Sequence, residues 1–268
     1  MTVQTSTAIP PPPTRSLLQR LPDLLVWGGV FVLLVIAFKP AEISKLPLLF
    51  TNSQNMQQFG AEFTKPDWTD WRTYVAQMWL TIQIALWGTS LAILAAIPIG
   101  LLAARNMSPP WVQMPVRWVL NLVRSAPDLV VGTIFIVAVG PGPFAGVMAL
   151  AVNTSGVLAK LFSEAVESID RGPVEGVRAT GAHRLHEVVW GVIPQVAPLW
   201  TSYALYRFES NSRSATVLGL IGAGGIGQLL FDSLNGFAYQ RTAAIVIVII
   251  AAVTLIDMLS QAIRSRLL

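Results

Sequence analysis

From Thr73 to Ala104 the chain runs without one charged side chain. Such a stretch is long enough to cross a bilayer, since the hydrocarbon core is about 30 Å thick and a helix needs about 20 mostly apolar residues to span it. Further apolar runs follow the same logic: Leu24–Phe38, Leu129–Gly140, Phe144–Phe162, Val188–Tyr206 and Thr242–Ile256. Charged residues make up 12% of the 268-residue chain and hydrophobic ones 53%, against about 25% charge in a soluble domain. The chain therefore reads as an all-α polytopic membrane bundle of about six transmembrane helices. It has no cysteine, which excludes disulfides, thiolate metal sites and thiol nucleophiles.

Residues 1–20, with Pro10 to Pro13 consecutive, read as a disordered cytoplasmic tail. Residues 21–74 read as a retained anchor helix and an external loop, with short interfacial helices around Trp68 and Trp71. Pro141-Gly142-Pro143 separates two of the spans, and the helix before it is expected to begin ahead of Pro127, leaving Arg124 and Asp128 near the inner surface. Gly88, Ala92, Ala96 and Gly100 recur every fourth residue, a small-residue stripe on which a second helix can seat closely. Six crossings put both termini on one side. Placing them in the cytoplasm puts Arg105, Arg117, Arg124, Arg171, Arg178 and Arg184 inside, as the positive-inside bias requires.

The segment between the fourth and fifth spans is too regular for a plain connection. Gly172-Pro173 starts a helix, Glu175 lies in its first turn where the dipole favours an acid, and Gly181 supplies the left-handed residue that ends it. A second helix over about His183 to Val192 returns the chain to the membrane at Pro194. The whole is a helix–turn–helix projecting into the cytoplasm.

This loop resembles the "EAA" signature of binding-protein-dependent ABC importer permeases, E-A-A-x-x-x-G followed by I-x-L-P. Glu175, Gly181 and Pro194 fall in register, with Gly176 and Val177 at the two alanines, Gly191 at the isoleucine and Ile193 at the leucine. The wording of 175–182, Gly191-Val-Ile-Pro-Gln195, 206–217 and Gly222-Ala-Gly-Gly-Ile-Gly227 is similar to the permease subunit of phosphonate ABC transporters. The resemblance covers roughly Val75 to Arg264. It implies a type I ABC importer permease domain over 75–264, with a cytoplasmic coupling loop over 163–190, in a multi-pass protein of the bacterial cytoplasmic membrane. The partners it implies are a second copy of this chain, an ATP-binding subunit dimer that carries ATP and Mg, and an extracytoplasmic phosphonate-binding protein, all within membrane lipid. This chain itself would bind no cofactor or metal and no nucleic acid, and would not be an enzyme.

Site residues follow from the same resemblance. Glu175, Gly176, Val177, Arg178, Ala179, Thr180, Gly181, Arg184 and Pro194 are the candidates for ATPase coupling, with Glu175 as charged anchor and Arg178 and Arg184 facing acidic groove residues. Arg207, Glu209, Asn211 and Arg213, read as the outer end of the fifth span, form with Ser214 and Thr216 the candidate substrate path, since a cationic, hydrogen-bonding wall favours an anion. Gly222, Gly224, Gly225 and Gly227 are candidate gate or packing glycines.

Competing readings meet physical objections. Gly222-x-Gly224-x-x-Gly227 matches a dinucleotide fingerprint, yet no βαβ unit surrounds it. His183 and His186 lack the order and third ligand of a zinc helix. The lysines Lys39, Lys45, Lys65 and Lys160 lack the preceding glycine of a P-loop, so any ATP is hydrolysed by another chain. A secondary, ion-coupled transporter of a small anion is the alternative, but it calls for coupling charges inside spans, and 73–104 and 242–256 carry none.

Overall fold

The computed structural model describes residues 17–48, 57 and 60–266, in two units divided between Phe59 and Gly60. Among its described residues the first unit contains one apolar helix, α1 (Leu17–Phe38), and a short 3-10 turn at Ile43–Lys45. The helix already includes Leu17–Arg20, which the sequence assigns to the tail; the rest of that tail, residues 1–16, lies outside the described residues. Between the turn and residue 60, positions 49–56, 58 and 59 also lie outside them.

The second unit is built from α2 (Trp71–Ala103), α3 (Pro110–Ser125), α4 (Asp128–Val139), α5 (Pro143–Glu167), α6 (Arg171–Ala179), α7 (Ile193–Leu218), α8 (Ile226–Asn235) and α9 (Tyr239–Arg264). Helices α2, α5 and α9 are each long and apolar enough to cross a membrane, and the bent pairs α3–α4 and α7–α8 bring the number of candidate crossings to five among the described residues. With α1, whose apolar part is shorter, this accounts for the six apolar runs.

Helices α2 and α5 form the backbone of the bundle. The small-residue stripe of α2 lies against α5: a Cβ on Gly88 would stand 2.7 Å from Leu150 Cβ, and one on Gly100 2.9 Å from Phe162 Cβ. Ala92 and Ala96 between them are wholly buried. Where lipid is as apolar as leucine, such close van der Waals contact replaces the hydrophobic drive. Below the stripe, Phe162 of α5 stacks on Trp200 of α7 at 4.5 Å between ring centroids, and the indole donates to the Phe162 carbonyl at 3.4 Å.

Four boundaries differ from the sequence expectation. Helix α4 does not begin before Pro127: Ala126 is extended (ψ 124°), as a residue ahead of proline prefers, so α3 and α4 meet at 90°. Segment 105–124, given no element by the sequence beyond its three arginines, is mostly the amphipathic helix α3. Trp71 is the first residue of α2, so no separate interfacial helix forms there. Helix α5 runs on through Glu167, with a Lys160–Glu164 pair at 3.1 Å along its face.

The most consequential difference is α7. Arg207, Glu209, Asn211 and Arg213 do not end a span; they lie inside a helix that continues to Leu218. Charges there lower the hydropathy of the run, but each is answered by a polar partner from another helix, which sequence proximity does not reveal.

Candidate functional site

Helix α6 is a two-turn post standing on the base of α7. Asp170 caps it, accepting from Gly172 N at 3.0 Å, and the helix starts at Arg171. Glu175 is therefore not in its first turn; Asp170 supplies the negative charge at the positive end. Gly181 has φ 79°, the left-handed conformation expected of a helix stop. The return segment is not one α-helix over His183–Val192: a single turn, Arg184–His186, leads into a π-helical stretch, Glu187–Val192, continuous with α7.

The post divides into two faces. Val174 and Val177 turn inward, and Val174 rides directly on Gly191, where a Cβ would come to 3.0 Å from Val174 Cα. Glu175, Gly176, Ala179, Thr180 and Gly181 are exposed, and nothing lies within 4 Å of a Cβ placed on Gly176. Among the described residues Glu175 makes no ion pair.

Several side chains fix this post to the bundle. Arg178 closes a two-pronged bond on Glu187, Nε to Oε1 at 3.0 Å and Nη2 to Oε2 at 2.9 Å. The fork is the main cause holding the Glu187 carboxyl below its ordinary range, and it raises the Arg178 guanidinium in turn. Arg184 donates to the Met107 carbonyl at 3.0 Å. Both arginines expected to face a partner's acids are thus engaged within this chain. Gln195, absent from the sequence candidates, accepts from Asp170 N at 3.1 Å and donates to the Asp170 and Gly191 carbonyls at 3.2 and 2.6 Å. Glu167 accepts from Arg105 N at 2.8 Å and from the Arg117 guanidinium, tying the α2–α3 connection to the same base. Pro194 is exposed at the second residue of α7.

A second polar constellation lies within the bundle. Asn211 is wholly buried; it donates to Thr89 Oγ1 of α2 at 2.8 Å and accepts from Thr154 Oγ1 of α5 at 3.0 Å. Arg207 Nη2 reaches Thr154 Oγ1 and Asn211 Oδ1, both at 3.3 Å, while its buried Nε has no partner. Asp128 accepts from Asn153 of α5 and from Ser214 Oγ of α7, the latter at 2.8 Å. Glu209 pairs with Arg213 at 3.1 Å and with Arg264 of α9 at 2.9 Å, and Arg213 also meets Asp257 at 3.0 Å. Ionisable groups at membrane depth face the bundle or an aqueous cavity and pair with one another. Thr216 does not join them: its hydroxyl bonds back to the Ser212 carbonyl at 3.3 Å.

The glycine segment turns α7 into α8 through a 57° bend. Gly222, Gly224 and Gly225 all have positive φ. Thr81 of α2 accepts from Ile226 N at 2.9 Å, so close that a side chain on Gly225 would strike its hydroxyl. Gly227 packs on the Thr216 carbonyl with no room for a Cβ. Gly225 and Gly227 thus stand where backbones approach closely, while Gly222 and Gly224 supply left-handed turns.

The family of binding-protein-dependent transport system inner membrane components matches residues 96–268. The chain belongs to this family. The permease is 39% identical over 219 residues to the phosphite transport system permease protein PtxC of Stutzerimonas stutzeri, covering 81% of this chain and 80% of that one. It is 43% identical over 189 residues to the phosphate-import permease protein PhnE of Mycolicibacterium smegmatis (70% and 36%). Over 119 residues it is 58% identical to a protein named as a cryptic phosphonate transport system permease, PhnE2 of Escherichia coli K12 (44% and 98%). In fold it is similar to the MetNI methionine ABC transporter in an inward-facing conformation (TM-score 0.63, 20% identity, 73% and 96% covered). It also resembles a bacterial ABC transporter that imports alginate (TM-score 0.59, 14% identity, 92% and 99% covered). The permease is thus a multi-pass membrane protein with the type I ABC importer fold; hydrolysis of ATP belongs to a separate subunit, and the ion-coupled alternative is set aside.

Proposed function

We propose that this permease, as a pair of copies with both termini in the cytoplasm, imports a small phosphorus oxyanion, phosphonate or phosphite, delivered by an extracytoplasmic binding protein. Its domain extends over 75–264, and the loop over 163–190 engages a separate ATPase dimer that carries ATP and Mg. The observation that supports this reading above the others is the exposed, unpartnered outer face of α6 standing on a braced base. Glu175, Gly176, Ala179 and Thr180 are the contact residues. Arg178 and Arg184 act by stiffening the post, through Glu187 and Met107, and Gly181 sets the turn that presents it. A stiff post converts closure of the ATPases into movement of α7, because its base is continuous with that helix.

The substrate path runs along α7 past Arg207, Asn211, Arg213 and Ser214, with Glu209 holding Arg213 and α9 in place. Three relatives bear names that concern phosphite, phosphate or phosphonate, and the cationic, hydrogen-bonding wall suits such an anion. The test is ATP-dependent uptake in proteoliposomes containing the permease, its ATPase and its binding protein, with methylphosphonate, phosphite and phosphate as substrates. Uptake of one or more of these in the wild type, and ATP hydrolysis without uptake in Glu175→Ala and Gly181→Val, is the expected result. Wild-type coupling in both variants contradicts it.

A further inference from the structure

Asp128 is an acid on a path read as one for anions, and its surroundings suggest why it is there. Both carboxylate oxygens are held, one by Asn153 and the other by Ser214 at 2.8 Å. A carboxylate has about four acceptor positions and no donor, so two remain, and the residue lines a cavity of about 220 Å³ with Ser210, Arg213 and Ser214. A water's share of liquid volume is about 30 Å³, so the space takes a tetrahedral oxyanion with part of its hydration.

The neighbouring charges are not equivalent. Arg213 is compensated by Glu209 and Asp257. Arg207 has no carboxylate within ion-pair distance among the described residues; it touches only the neutral oxygens of Thr154 and Asn211. Helix α5 contributes only uncharged groups here, α3 ends near Arg124, and Asp257 and Arg264 of α9 are both already paired. The cavity wall therefore combines an acceptor that demands a donor with the Arg213 guanidinium and two serine hydroxyls, and the Arg207 cation stands outside the lining on the same helix.

Building on the substrate path proposed above, we infer that Asp128 is a specificity residue that accepts a hydrogen bond from the P–OH of a monoprotonated phosphorus oxyanion. The anionic oxygens lie toward Arg213, Ser210 and Ser214, within the positive potential of Arg207. A fully deprotonated tetrahedral anion such as sulfate brings acceptors only. Its oxygens meet the carboxylate with no hydrogen between them, and a site built around a hydrogen bond strongly rejects an analogue that lacks it.

The experiment is equilibrium binding of radiolabelled phosphite and sulfate to the permease–ATPase complex in lipid nanodiscs, without binding protein and across a pH series. The wild type is expected to bind phosphite at least roughly tenfold more tightly than sulfate, with phosphite binding weakening as pH rises through its second ionisation. In Asp128→Asn, whose amide donates, the ratio should fall to within roughly threefold and the pH dependence should vanish. Equal wild-type binding of the two anions, or a ratio unchanged in the variant, overturns this role and leaves the substrate path standing. No binding of either anion to the wild type overturns both. Should Asp128→Asn fail to fold, the wild-type series decides alone: phosphite binding that is flat or rising with pH contradicts the inference.

Discussion

Asn211 donates a 2.8 Å hydrogen bond to Thr89, 122 positions earlier in the chain, and both side chains are buried. The bond joins α7 to α2 across the bundle, and the Thr154 hydroxyl completes the bridge to α5. One amide thus links three helices, and no hydrophobic drive exists in lipid to hold them together without such contacts.

Asn211→Ala leaves Thr89, Thr154 and Arg207 without their shared partner, and an unsatisfied buried polar group costs about 1–3 kcal/mol. Thr89→Val removes the bond from Asn211 together with the hydroxyl's own bond to the Ala85 carbonyl one turn back; the interhelical one is worth about 0.6 kcal/mol in a membrane protein. Thermal unfolding of the purified permease in detergent should rank the variants wild type, Thr89→Val, Asn211→Ala in falling order. Equal midpoints would show that the bridge contributes nothing.

The α2–α5 seam gives a sharper contrast. Gly100→Leu drives a side chain into Phe162 and the Ala159 carbonyl, and overpacking typically costs about 1–3 kcal/mol. Gly176→Leu adds the same atoms on the outer face of α6, where nothing lies within 4 Å, and should shift stability by no more than about 0.5 kcal/mol. Yield and thermal midpoint of the two variants, side by side, check the difference.

That seam was legible in the sequence because four small residues repeat at helical spacing with no charge between them. The Gly181 turn was legible for a similar reason: a left-handed stop demands a particular residue. The α3–α4 break was not, because an apolar run on both sides of Ala126-Pro127 masks a conformational preference of the backbone. The extent of α7 was hidden too. Arg207, Glu209 and Arg213 read as the end of a span until Thr154, Asp257 and Arg264 are brought beside them by packing. Gln195 was missed, and Asp128 was placed near the inner surface without a role, since each gains its role from partners more than twenty positions away and no local pattern marks them.

The Arg178–Glu187 fork gives a pH dependence with a definite sign. The folded Glu187 carboxyl lies below its ordinary value of 4.5, so the fork's contribution is complete above that value and is lost as pH falls through the lowered one. Amide exchange over 171–187, corrected for the intrinsic rate at each pH, should rise on acidification in the wild type. In Glu187→Gln it should be raised already at neutral pH. Identical protection in both proteins at neutral pH would mean that the fork does not hold the post.

In the function proposed above, α6 is the part of the permease on which the ATPase acts. The chain has no cysteine, so Gly176→Cys introduces a single thiol at an open, exposed position. Maleimide labelling of this variant should proceed in the permease alone, fall sharply in the assembled complex with the ATPase, and vary between nucleotide-free and ATP-bound states. A thiol that labels equally fast with and without the ATPase, in both nucleotide states, would contradict this role of α6.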